Sequence, residues 1–553
     1  MFFAHDPNAN FYYMGEEEPT KDTYRKLLVD SPPKLIGLDV ETISLKERIA
    51  IGVGISITPT TSYYFQLFPE TSPAVPWNLL KDPTVTKVIH NALFDLSALR
   101  EYEVDTTNIL DTSVMARLLC YKFAGLLEMS IVHKMEIHDV KEYIPKGGTM
   151  LDVPQNTVAK KCMQDSGASL KLYYELYEDI NRDYFSIEMQ IIPILIEMSN
   201  RGLLIDQEAR QKVEDKLTIE VEYYQNLCDG IGFNPGSPQQ VAYILAKRGA
   251  YSIFTKLPFT GWGKKNLSTA EEVLNKMDDP LASIVLKYRE VSYLLSHYIK
   301  PWTHEDRATC KFHLDAITGR PSSTDRNMQN IPIGEPRGIF IPDTGVWTDM
   351  DFSQVELRIL AYLSQDKEMM HIFNLPPFLP DGSKNPKADI HQTTADFLNI
   401  DRRFAKNVNF ALVYGATDET LMETAHIRSI ERARQLRQNV FQLFTGVGDW
   451  IESLNHNVPA TAQTVFGRNI RLPTEDEERL DGRQRKNINY RIQGSAAEIL
   501  KRGLILCKDL PMALQVHDEI LTDGFVPDYI FKPLENMAPF KTPVEIKYLD
   551  RWQ

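Results

Sequence analysis

The 553-residue chain is poor in the features that mark secreted and membrane proteins. Its 5 cysteines are scattered without a CxxC pair, so we expect reduced thiols and neither disulfides nor a zinc site. The N-terminus lacks the basic and then apolar regions of a signal peptide, and no uninterrupted apolar run could span a bilayer. Internal repeats and low-complexity segments are also missing. These absences predict a cytoplasmic protein with no membrane partner.

A positive net charge is missing as well, because 75 acidic residues outnumber 61 lysines and arginines and leave a formal charge of −14. Net acidity is a weak argument against a polyanionic partner, since a basic groove can lie on an acidic body. The basic clusters fall mostly in the C-terminal half, at Arg402, Arg403, Lys406, Arg428, Arg432, Arg434, Arg437, Arg468, Arg471, Arg483, Arg485, Lys486 and Arg491. Nucleic acid therefore stays a candidate partner.

The length predicts several domains with more than one core, and the first part of the chain predicts an α/β architecture. Strand patterns at 34–40 and 49–57 are followed by helical patterns at 94–102 and 112–121. The fold class expected from this alternation and from the helix-rich remainder is an α/β multidomain protein.

The second part of the chain is richer in helical patterns. Residues 181–300 read as mainly helical and 389–456 as mostly helical. A strand is predicted at 346–351, and a hairpin is predicted at 512–525 with residues 517–519 at its turn.

A stripe of side chains recurs every four residues, at Arg402, Lys406, Phe410 and Tyr414. On a helix this step drifts by only about 40° per repeat, so the four side chains share one slowly turning face. Two cations followed by two aromatic rings suit a ligand that is polyanionic at one end and aromatic at the other. A nucleoside triphosphate fits that description. The alternative is a solvated basic turn that leads into a buried helix.

Two carboxylates in the C-terminal half follow apolar strand patterns. Asp351 comes after residues 346–350, and Asp518 comes after residues 513–517. Carboxylates from neighbouring strand ends make an oxygen-rich pocket that suits Mg²⁺. Two such ions can activate a 3′-hydroxyl and stabilise a leaving pyrophosphate. The alternative is that Asp351 is a turn residue and that Asp518 and Glu519 form the polar tip of a hairpin.

A second acidic set lies in the N-terminal region. Asp39 and Glu41 are two residues apart and would point to the same face of a strand. Asn91 and Asp95 are four apart and would share a helix face, and Asp165 is expected to precede another helix. Four carboxylates in an α/β domain can hold two metal ions for phosphodiester hydrolysis. The alternative is chance, because Asp-x-Glu is common and Asp95 could be a helix cap or an ion-pair partner.

An ordered series of motifs closely resembles the family A DNA polymerases, which include the large fragment of bacterial DNA polymerase I and several bacteriophage replicases. Residues 351–358 (DFSQVELR) resemble motif A of that family, the stripe that begins at Arg402 resembles motif B, and residues 515–519 (QVHDE) resemble motif C. Further segments similar to family segments lie in family order at 318–323, 327–332 and 493–497. The resemblance runs from about residue 35 to the C-terminus.

The resemblance implies an RNase H-like 3′–5′ exonuclease domain followed by a right-hand polymerase with palm, fingers and thumb. The implied domains are the exonuclease domain at 1–180, the thumb at 181–301, the first part of the palm at 302–395, the fingers at 396–488, and the second part of the palm with motif C at 489–553. The chain before Lys34 is too short for a 5′ nuclease domain, and the thumb carries no long insertion. We therefore expect a compact bacteriophage or mobile-element replicase.

In the polymerase half, the resemblance implies catalytic and nucleotide-binding residues. Asp351 and Asp518 would hold two Mg²⁺ ions, which Mn²⁺ can replace, and Glu519 would support the metal site or the primer terminus. Glu356 would exclude a ribose 2′-hydroxyl and so select deoxynucleotides. The other implied nucleotide-binding residues are Arg402 and Lys406 on the triphosphate, Phe410 near the sugar, Tyr414 near the templating base, Gln354, and His517 near the primer strand. Lys406 would also be catalytic, as a proton donor to pyrophosphate.

Other positions that match the family concern the DNA. Residues that resemble minor-groove and template contacts would check the shape of the duplex rather than its sequence; they are Arg320, Asn327, Gln329, Asn330, Arg485, Asn489 and Gln493. Phe410 stands where some relatives carry Tyr, and the missing hydroxyl predicts poor acceptance of dideoxynucleotides. Tyr293 stands where many relatives carry Lys in the thumb, which puts one backbone contact in doubt.

In the N-terminal half, the resemblance implies an exonuclease of the Asp-Glu-Asp-Asp type with two Mg²⁺ ions. Its catalytic metal ligands would be Asp39, Glu41, Asp95 and Asp165. These four positions are intact in this chain.

The third exonuclease motif departs from the family pattern at Lys161. The family usually has Tyr there, four residues before the last Asp, to orient the attacking water, and the related histidine variant would use the position of Lys160. Lys161 could donate a hydrogen bond instead, stabilise developing negative charge, or compete with metal for the carboxylates. The candidate stand-ins for the missing phenol are Tyr143, Tyr173 and Tyr174. We expect an active exonuclease with an altered rate or pH profile.

The implied function is a template-directed DNA polymerase that extends a primer 3′-hydroxyl and proofreads, in the replication of phage or mobile-element DNA. Its partners would be primer–template DNA, deoxynucleoside triphosphates and a single-stranded 3′ end. It would act as a monomer, in the host cytoplasm if it is viral. A helicase, primase or single-strand-binding partner cannot be identified from the sequence.

Two alternative functions remain open from sequence. The first is a polymerase whose exonuclease domain is weakened or only structural, which Lys161 favours and the four intact carboxylates oppose. The second is an exonuclease with a degenerate polymerase half, which the intact Asp351, Lys406 and Asp518 oppose. A scaffold without enzymatic activity would need neither carboxylate set.

Overall fold

In the computed structural model, the described residues are 2–6, 11–17, 24–67, 75–250, 267–413, 415, 417–425, 427 and 429–553. Tyr414, which the resemblance places near the templating base, lies outside these residues. All five cysteines are free thiols, as their scatter predicts. Among the described helices, none combines the length and the apolar character that a bilayer crossing requires.

The N-terminal part is a seven-stranded sheet with packed helices. Its strands are β1 (Phe2–Asp6), β2 (Phe11–Gly15), β3 (Leu35–Thr42), β4 (Ala50–Thr58), β5 (Thr61–Gln66), β6 (Thr86–Ile89) and β7 (Ile109–Asp111). Its helices are α1 (Trp77–Lys81), α2 (Ala92–Ala98), α3 (Thr112–Leu118), α4 (Leu126–Val132) and α5 (Gln155–Leu176). The strand order is β1-β2-β5-β4-β3-β6-β7; β3, β6 and β7 are parallel, and the other neighbours are antiparallel.

The central strand β3 is largely buried on both faces, as expected for an apolar strand covered by helices. Helix α5 packs directly on β3 and β4 because two glycines leave room for it. A Cβ on Gly37 would collide with the carbonyl oxygen of Ser166, and one on Gly54 would lie 2.7 Å from that of Cys162. This close approach brings the middle of α5 against the acidic end of β3.

The C-terminal part contains the remaining elements. Its helices are α6 (Arg182–Arg201), α7 (Gln207–Asp229), α8 (Pro238–Lys247), α9 (Glu271–Leu274), α10 (Pro280–Leu294), α11 (Val355–Ser364), α12 (Lys367–Asn374), α13 (Ile390–Leu398), α14 (Arg402–Val413), α15 (Asp418–Thr424), α16 (Ile430–Leu443), α17 (Thr445–His456), α18 (Leu480–Leu506) and α19 (Phe531–Leu534). Its strands are β8 (Leu203–Ile205), β9 (Arg307–Ala308), β10 (Lys311–His313), β11 (Ser322–Thr324), β12 (Phe340–Ile341), β13 (Trp347–Phe352), β14 (Thr461–Gln463), β15 (Asn469–Arg471), β16 (Met512–Val516), β17 (Glu519–Asp523) and β18 (Val544–Leu549).

A four-stranded antiparallel sheet of order β16-β17-β13-β18 forms the centre of this part. Strand β13 runs between β17 and β18, so Asp351 lies opposite Glu519 on one side and Glu545 on the other. The long helix α18 packs on α6, α11 and α17, and α14 packs on α13 and α11. Helices α7 and α10 pair with each other, and a separate apolar cluster around Cys228, Phe233 and Val241 holds α8 and α10 together.

Three details differ from the predicted elements. Asp165 lies inside α5 rather than before a helix, since nothing between Gln155 and Leu176 stops the helix. The helix predicted at 94–102 is α2 followed by a 3₁₀ turn at Arg100–Tyr102. The second strand of the predicted hairpin begins at Glu519 and ends at Asp523, because His517 adopts a positive φ of 50° and closes a two-residue turn.

A buried ion pair links α6 to α18 in the C-terminal part. The ammonium of Lys501 donates to both carboxylate oxygens of Glu188 at 2.6 Å, and the two side chains are 1% and 8% exposed. A buried pair of this kind adds little net stability, but removal of one partner leaves an uncompensated buried charge.

Loss of one partner of this pair should therefore destabilise the chain strongly. We expect Lys501→Met to lower the free energy of unfolding by about 3–5 kcal/mol, and the double variant Glu188→Gln/Lys501→Met to lose much less. Urea titration followed by circular dichroism measures both. The control is Lys216→Met, because its ion pair with Glu335 is more than half exposed and should contribute far less. Equal losses for Lys501→Met and Lys216→Met would contradict the account.

Candidate active sites

Four predicted acidic side chains meet at one end of the seven-stranded sheet. Asp39 and Glu41 project from β3, and Asp95 reaches them from α2, where its Oδ1 accepts a hydrogen bond from the Val40 backbone N–H at 2.8 Å. Asp165 joins them from α5. Three of the four are almost fully buried, with 4%, 4% and 6% exposure for Glu41, Asp95 and Asp165. The fold therefore places close together the four carboxylates that their spacing in the sequence singles out.

Burial of these like charges changes their acidity. Burial raises the pKa of Asp39 well above its usual value, and the neighbouring Asp165 and Glu41 carboxylates raise it further. Burial also raises the pKa of Asp95 well above its usual value, with Asp39 as the next cause. The pKa of Glu41 is raised mainly by burial. The cluster is therefore unfavourable as a set of bare anions and favours bound cations.

Lys161 bridges two of these carboxylates. Its Nζ donates to Glu41 Oε1 at 2.6 Å and to Asp165 Oδ2 at 2.7 Å. Burial lowers the pKa of Lys161, but Asp165, Glu41 and Asp39 outweigh that effect and hold it well above the usual value. The residue that departs from the family pattern is thus a charged member of the cluster.

The remaining ligand atoms of the cluster fit a hard divalent cation. Ligand atoms of Asp39, Glu41 and Cys162 lie within 4.8 Å of one another. Burial raises the pKa of the Cys162 thiol well above its usual value, and the Sγ lies 3.5 Å from the Asp39 carbonyl oxygen, so the carboxylates are the effective ligands. Asp39 Oδ2 and Asp165 Oδ1 are buried and have no hydrogen-bond partner among the described residues, which is expected of oxygens that bind a metal ion.

The three candidate stand-ins for the missing phenol are not among the residues that line the cavity of the four carboxylates. Tyr143 is 44% exposed on a 3₁₀ turn, while Tyr173 and Tyr174 contact each other near the C-terminal end of α5, two turns beyond Asp165. Tyr121 lines the same cavity as the four carboxylates. Tyr121 could not be chosen as a stand-in from the motifs, because it follows α3 and lies outside the third motif.

The cavity at this cluster has a volume of about 1010 Å³ and is walled by both parts of the chain. One wall carries Asp39, Glu41, Lys161 and Asp165. The opposite wall comes from the C-terminal part and includes His313, Asp315, Ile317, Arg468, Asn469, Ile470 and Arg471. A ligand in this cavity would therefore touch both parts at once.

A second group of carboxylates lies at the edge of the four-stranded sheet. Asp351 ends β13, and Asp518 lies in the tight turn between β16 and β17, beside Glu519. The Phe352 backbone N–H donates to the Asp518 carbonyl oxygen at 3.1 Å, which fixes the turn against the end of β13. Asp518 thus lies in a hairpin turn, as the alternative interpretation predicts. This turn also places Asp518 beside Asp351.

These carboxylates also have altered acidity. Burial, together with Asp518 and Glu519, raises the pKa of Asp351 to about 6, and burial raises the pKa of Asp518 and Glu356. Arg320 partly offsets the charge, because its Nη2 lies 2.6 Å from Glu356 Oε1 and 3.3 Å from Asp518 Oδ1. The predicted DNA-binding residue Arg320 is therefore a cation of this cluster.

Three residues that the sequence reasoning missed surround Glu519. Trp552 Nε1 donates to Glu519 Oε1 at 3.0 Å, and the Arg337 guanidinium lies 3.6 Å from Glu519 Oε2 and stacks over Trp552. Asp349 lies two residues before Asp351 on β13, and burial together with Glu519 raises its pKa to about 7. Of these three residues, only Asp349 could have been predicted from the sequence, because it lies two residues before Asp351 and so shares its strand face.

The predicted stripe on α14 is exposed where it should meet an anion. Arg402 and Lys406 are exposed, with Arg402 Nε 2.7 Å from Asp389 Oδ2, and the Lys406 ammonium lies 5.7 Å from the centre of the half-buried Phe410 ring. The Phe410 ring in turn lies 6.0 Å from the His391 ring. Arg402, Lys406 and Phe410 thus all lie on a helix, and none of the three side chains is fully buried.

The predicted DNA contacts fall into two groups. Gln329 is buried, and its amide donates to Gln515 Oε1 at 2.9 Å, while Asn327 Oδ1 accepts from the Gln329 backbone. Asn330 is exposed, and Arg485, Asn489 and Gln493 lie half-buried along α18. The buried Asn489 Nδ2 and Gln354 Oε1 lack hydrogen-bond partners among the described residues, which is expected of polar atoms that meet a ligand.

Asp351→Asn should stabilise the metal-free protein at alkaline pH. With a folded-state pKa of about 6, the ionised carboxylate destabilises the folded state above pH 6, and this effect fades as the pH falls towards the unfolded-state value of about 4. In EDTA we expect a thermal midpoint at least about 2 °C above wild type at pH 8, and a smaller difference at pH 5. The control is Glu222→Gln, which removes an exposed carboxylate on α7 and should shift neither midpoint. A lower midpoint for Asp351→Asn at pH 8 would refute the burial argument.

Two family models match this chain. The family model of DNA polymerase family A matches residues 205–528, which is more than half of the chain. A model described as 3′-5′ exonuclease matches residues 17–139. The match to the exonuclease model ends before Lys161 and Asp165. The contacts in the structure are therefore what place these two residues beside Glu41.

Several bacterial relatives cover most of this chain. DNA polymerase I of Treponema pallidum is 27% identical over 529 residues, which cover 85% of this chain and 51% of the relative. That of Caldicellulosiruptor bescii is 31% identical over 423 residues, which cover 67% and 47%. That of Pseudomonas aeruginosa is 27% identical over 577 residues, which cover 91% and 60%. The chain spans about half the length of the curated relatives that it matches.

A solved structure has a similar fold. The POL domain of Pol1 from M. smegmatis, solved in a complex with DNA primer-template and dNTP, aligns with a TM-score of 0.76 at 23% identity and covers 97% of this chain and 99% of that one. The predicted order of an exonuclease domain followed by a right-hand polymerase domain is thereby confirmed. With a family model matched over more than half of its length, the chain belongs to DNA polymerase family A.

Proposed function

We propose that the chain is a template-directed DNA polymerase that adds deoxynucleotides to a primer 3′-hydroxyl and removes mismatched ends with a 3′–5′ exonuclease. The observation that carries this proposal is the presence of two separate carboxylate clusters in one chain, one around Asp351 and Asp518 and one around Asp39 and Glu41. Clusters of this kind hold the divalent ions of phosphoryl-transfer sites. The names of the bacterial relatives support the same activity.

In the proposed polymerase reaction, Asp351 and Asp518 hold the divalent ions, which we propose to be Mg²⁺ with Mn²⁺ as a substitute. Bound ions of this type stabilise charge on the attacking 3′ oxygen and on the leaving pyrophosphate. Arg402 and Lys406 bind the triphosphate from the exposed face of α14, and Lys406 gives a proton to pyrophosphate. Buried Glu356, held by Arg320, closes the space that a 2′-hydroxyl would need.

The polymerase proposal also assigns roles around the primer and template. Glu519, held by Trp552, supports the metal site, and His517 at the adjacent turn faces the primer strand. Phe410 contacts the sugar, and Gln354 with its unpartnered Oε1 contacts the incoming nucleotide or its template partner. The duplex is followed by Arg320, Asn327, Gln329, Asn330, Arg485, Asn489 and Gln493.

In the proposed exonuclease reaction, Asp39, Glu41, Asp95 and Asp165 form the metal site. Lys161 takes the place of the usual Tyr and keeps a positive charge beside the scissile phosphate. The cavity of about 1010 Å³ admits a single-stranded 3′ end, and Arg468 and Arg471 in its far wall suit a phosphate backbone. The alternative, a weakened or structural exonuclease domain, is supported by the same Lys161, because the ammonium occupies two of the carboxylates.

The biological setting is also part of the proposal. Primer–template DNA, deoxynucleoside triphosphates and a single-stranded 3′ end are the proposed partners of a monomeric, cytoplasmic enzyme. A role in the replication of phage or mobile-element DNA stays a prediction, since the relatives compared are bacterial.

A primer–template with a mismatched 3′ end tests the proposal directly. In Mg²⁺ and all four deoxynucleotides, we expect the wild-type protein to trim the mismatch and then extend to full length. Asp518→Asn should still trim but lose extension by about 10²–10⁴-fold, the effect of losing several kcal/mol of transition-state stabilisation. Asp39→Asn should extend a matched primer normally and lose trimming.

Each outcome of this experiment has a distinct meaning. Extension of matched primers without trimming by wild type would support the structural-domain alternative. Trimming without extension would leave an exonuclease with a degenerate polymerase half. Failure of both would overturn the proposed function.

The sugar contact at Phe410 gives a second prediction. Phe410→Tyr restores a hydroxyl beside the sugar, and one hydrogen bond contributes about 1 kcal/mol. We therefore expect the variant to incorporate dideoxynucleotides, relative to deoxynucleotides, at least about five times better than wild type. Competition between the two substrates on one primer measures the ratio, with Phe404→Tyr on the same helix as the control. An unchanged ratio in Phe410→Tyr would exclude this role.

A further inference from the structure

Lys161 lies where a bridging cation would be expected in a site with two metal ions. Its Nζ is 2.6 Å from Glu41 Oε1 and 2.7 Å from Asp165 Oδ2, so one ammonium joins carboxylates of β3 and α5. An ammonium has three donors, and two of them are used in these contacts. Glu41 and Asp165 are thus already bridged by a cation that belongs to the chain.

The other side of the cluster keeps oxygens for an external ion. Asp39 Oδ2 is buried and has no hydrogen-bond partner within the part of the chain that the structure describes. Ligand atoms of Asp39 and Glu41 belong to a group that lies within 4.8 Å. Since divalent Mg²⁺ and Mn²⁺ prefer oxygen ligands, this side can hold one such ion beside Asp39.

A second ion would have to compete with the ammonium. Paired ions in phosphoryl-transfer sites lie about 3.5–4 Å apart, and both need carboxylate oxygens. An ion between Glu41 and Asp165 would lose the two oxygens that Lys161 already contacts, Glu41 Oε1 and Asp165 Oδ2. It could still reach Asp165 Oδ1, but it would face the positive charge of the ammonium at close range.

We propose that Lys161 replaces one of the two divalent ions, so that the exonuclease site of this chain binds a single divalent ion beside Asp39. The inference rests on the proposed exonuclease function and concerns how that site is loaded. The positive charge that a second ion brings from solution comes instead from helix α5, one turn before Asp165.

Counting bound Mn²⁺ by electron paramagnetic resonance tests this inference. The background is Asp351→Asn/Asp518→Asn, which removes the proposed polymerase-site ions, and a nucleoside monophosphate is present to complete the exonuclease site. We expect one bound ion per chain with Lys161 and two with Lys161→Tyr. Lys160→Tyr makes the same change one residue earlier on α5 and should keep one ion.

A second variant and a kinetic measurement keep the result decisive. If Lys161→Tyr does not fold by circular dichroism, Lys161→Met removes the ammonium without a ring and should also bind two ions. In chains with an intact polymerase site, the rate of 3′ trimming on single-stranded DNA without deoxynucleotides should rise with the first power of subsaturating Mn²⁺ for wild type. It should rise with nearly the second power for the variant without the ammonium.

The possible results separate the two proposals. Two ions in the chain with Lys161, or one ion after its removal, overturns the single-ion inference while trimming by wild type leaves the exonuclease function intact. No trimming by wild type, together with no bound ion in any variant, overturns the exonuclease function itself.

Discussion

Burial of carboxylates close to one another is the constraint on which both sites depend. Burial raises the pKa of Asp351 to about 6 and that of Asp39 well above its usual value, and repulsion from neighbouring carboxylates adds to both shifts. The chain offsets part of this repulsion with a cation of its own at each cluster. Lys161 bridges two carboxylates of the exonuclease cluster, and Arg320 lies between Glu356 and Asp518 in the polymerase cluster.

Such clusters persist because rigid elements hold them from several directions. Glycines at Gly37 and Gly54 let α5 approach the sheet until Asp165 reaches β3. In the polymerase half, a two-residue turn with a positive φ at His517 carries Asp518 to the end of β13. The buried pair of Glu188 and Lys501 links α6 to α18 within the C-terminal part.

The positions of most acidic ligands could be predicted from the sequence, because they follow local periodicity and ordered motifs. Asp39 and Glu41 share a strand face, and the hairpin around Asp518 has a clear apolar pattern on both sides. The bridge made by Lys161 could not be predicted, since it depends on how closely α5 packs on β3. The contacts of Glu519 could not be predicted either, because they depend on packing between distant segments. Trp552 lies 33 residues further along the chain, and no local pattern connects the two.

The buried carboxylates should destabilise the chain until cations bind. Differential scanning calorimetry at pH 8, first with EDTA and then with excess Mg²⁺, measures this effect. We expect Mg²⁺ to raise the midpoint of wild type, because a ligand of the folded state stabilises by mass action, and to raise that of Asp39→Asn/Asp351→Asn much less. Equal midpoints for wild type with and without Mg²⁺, or equal shifts in both proteins, would contradict it.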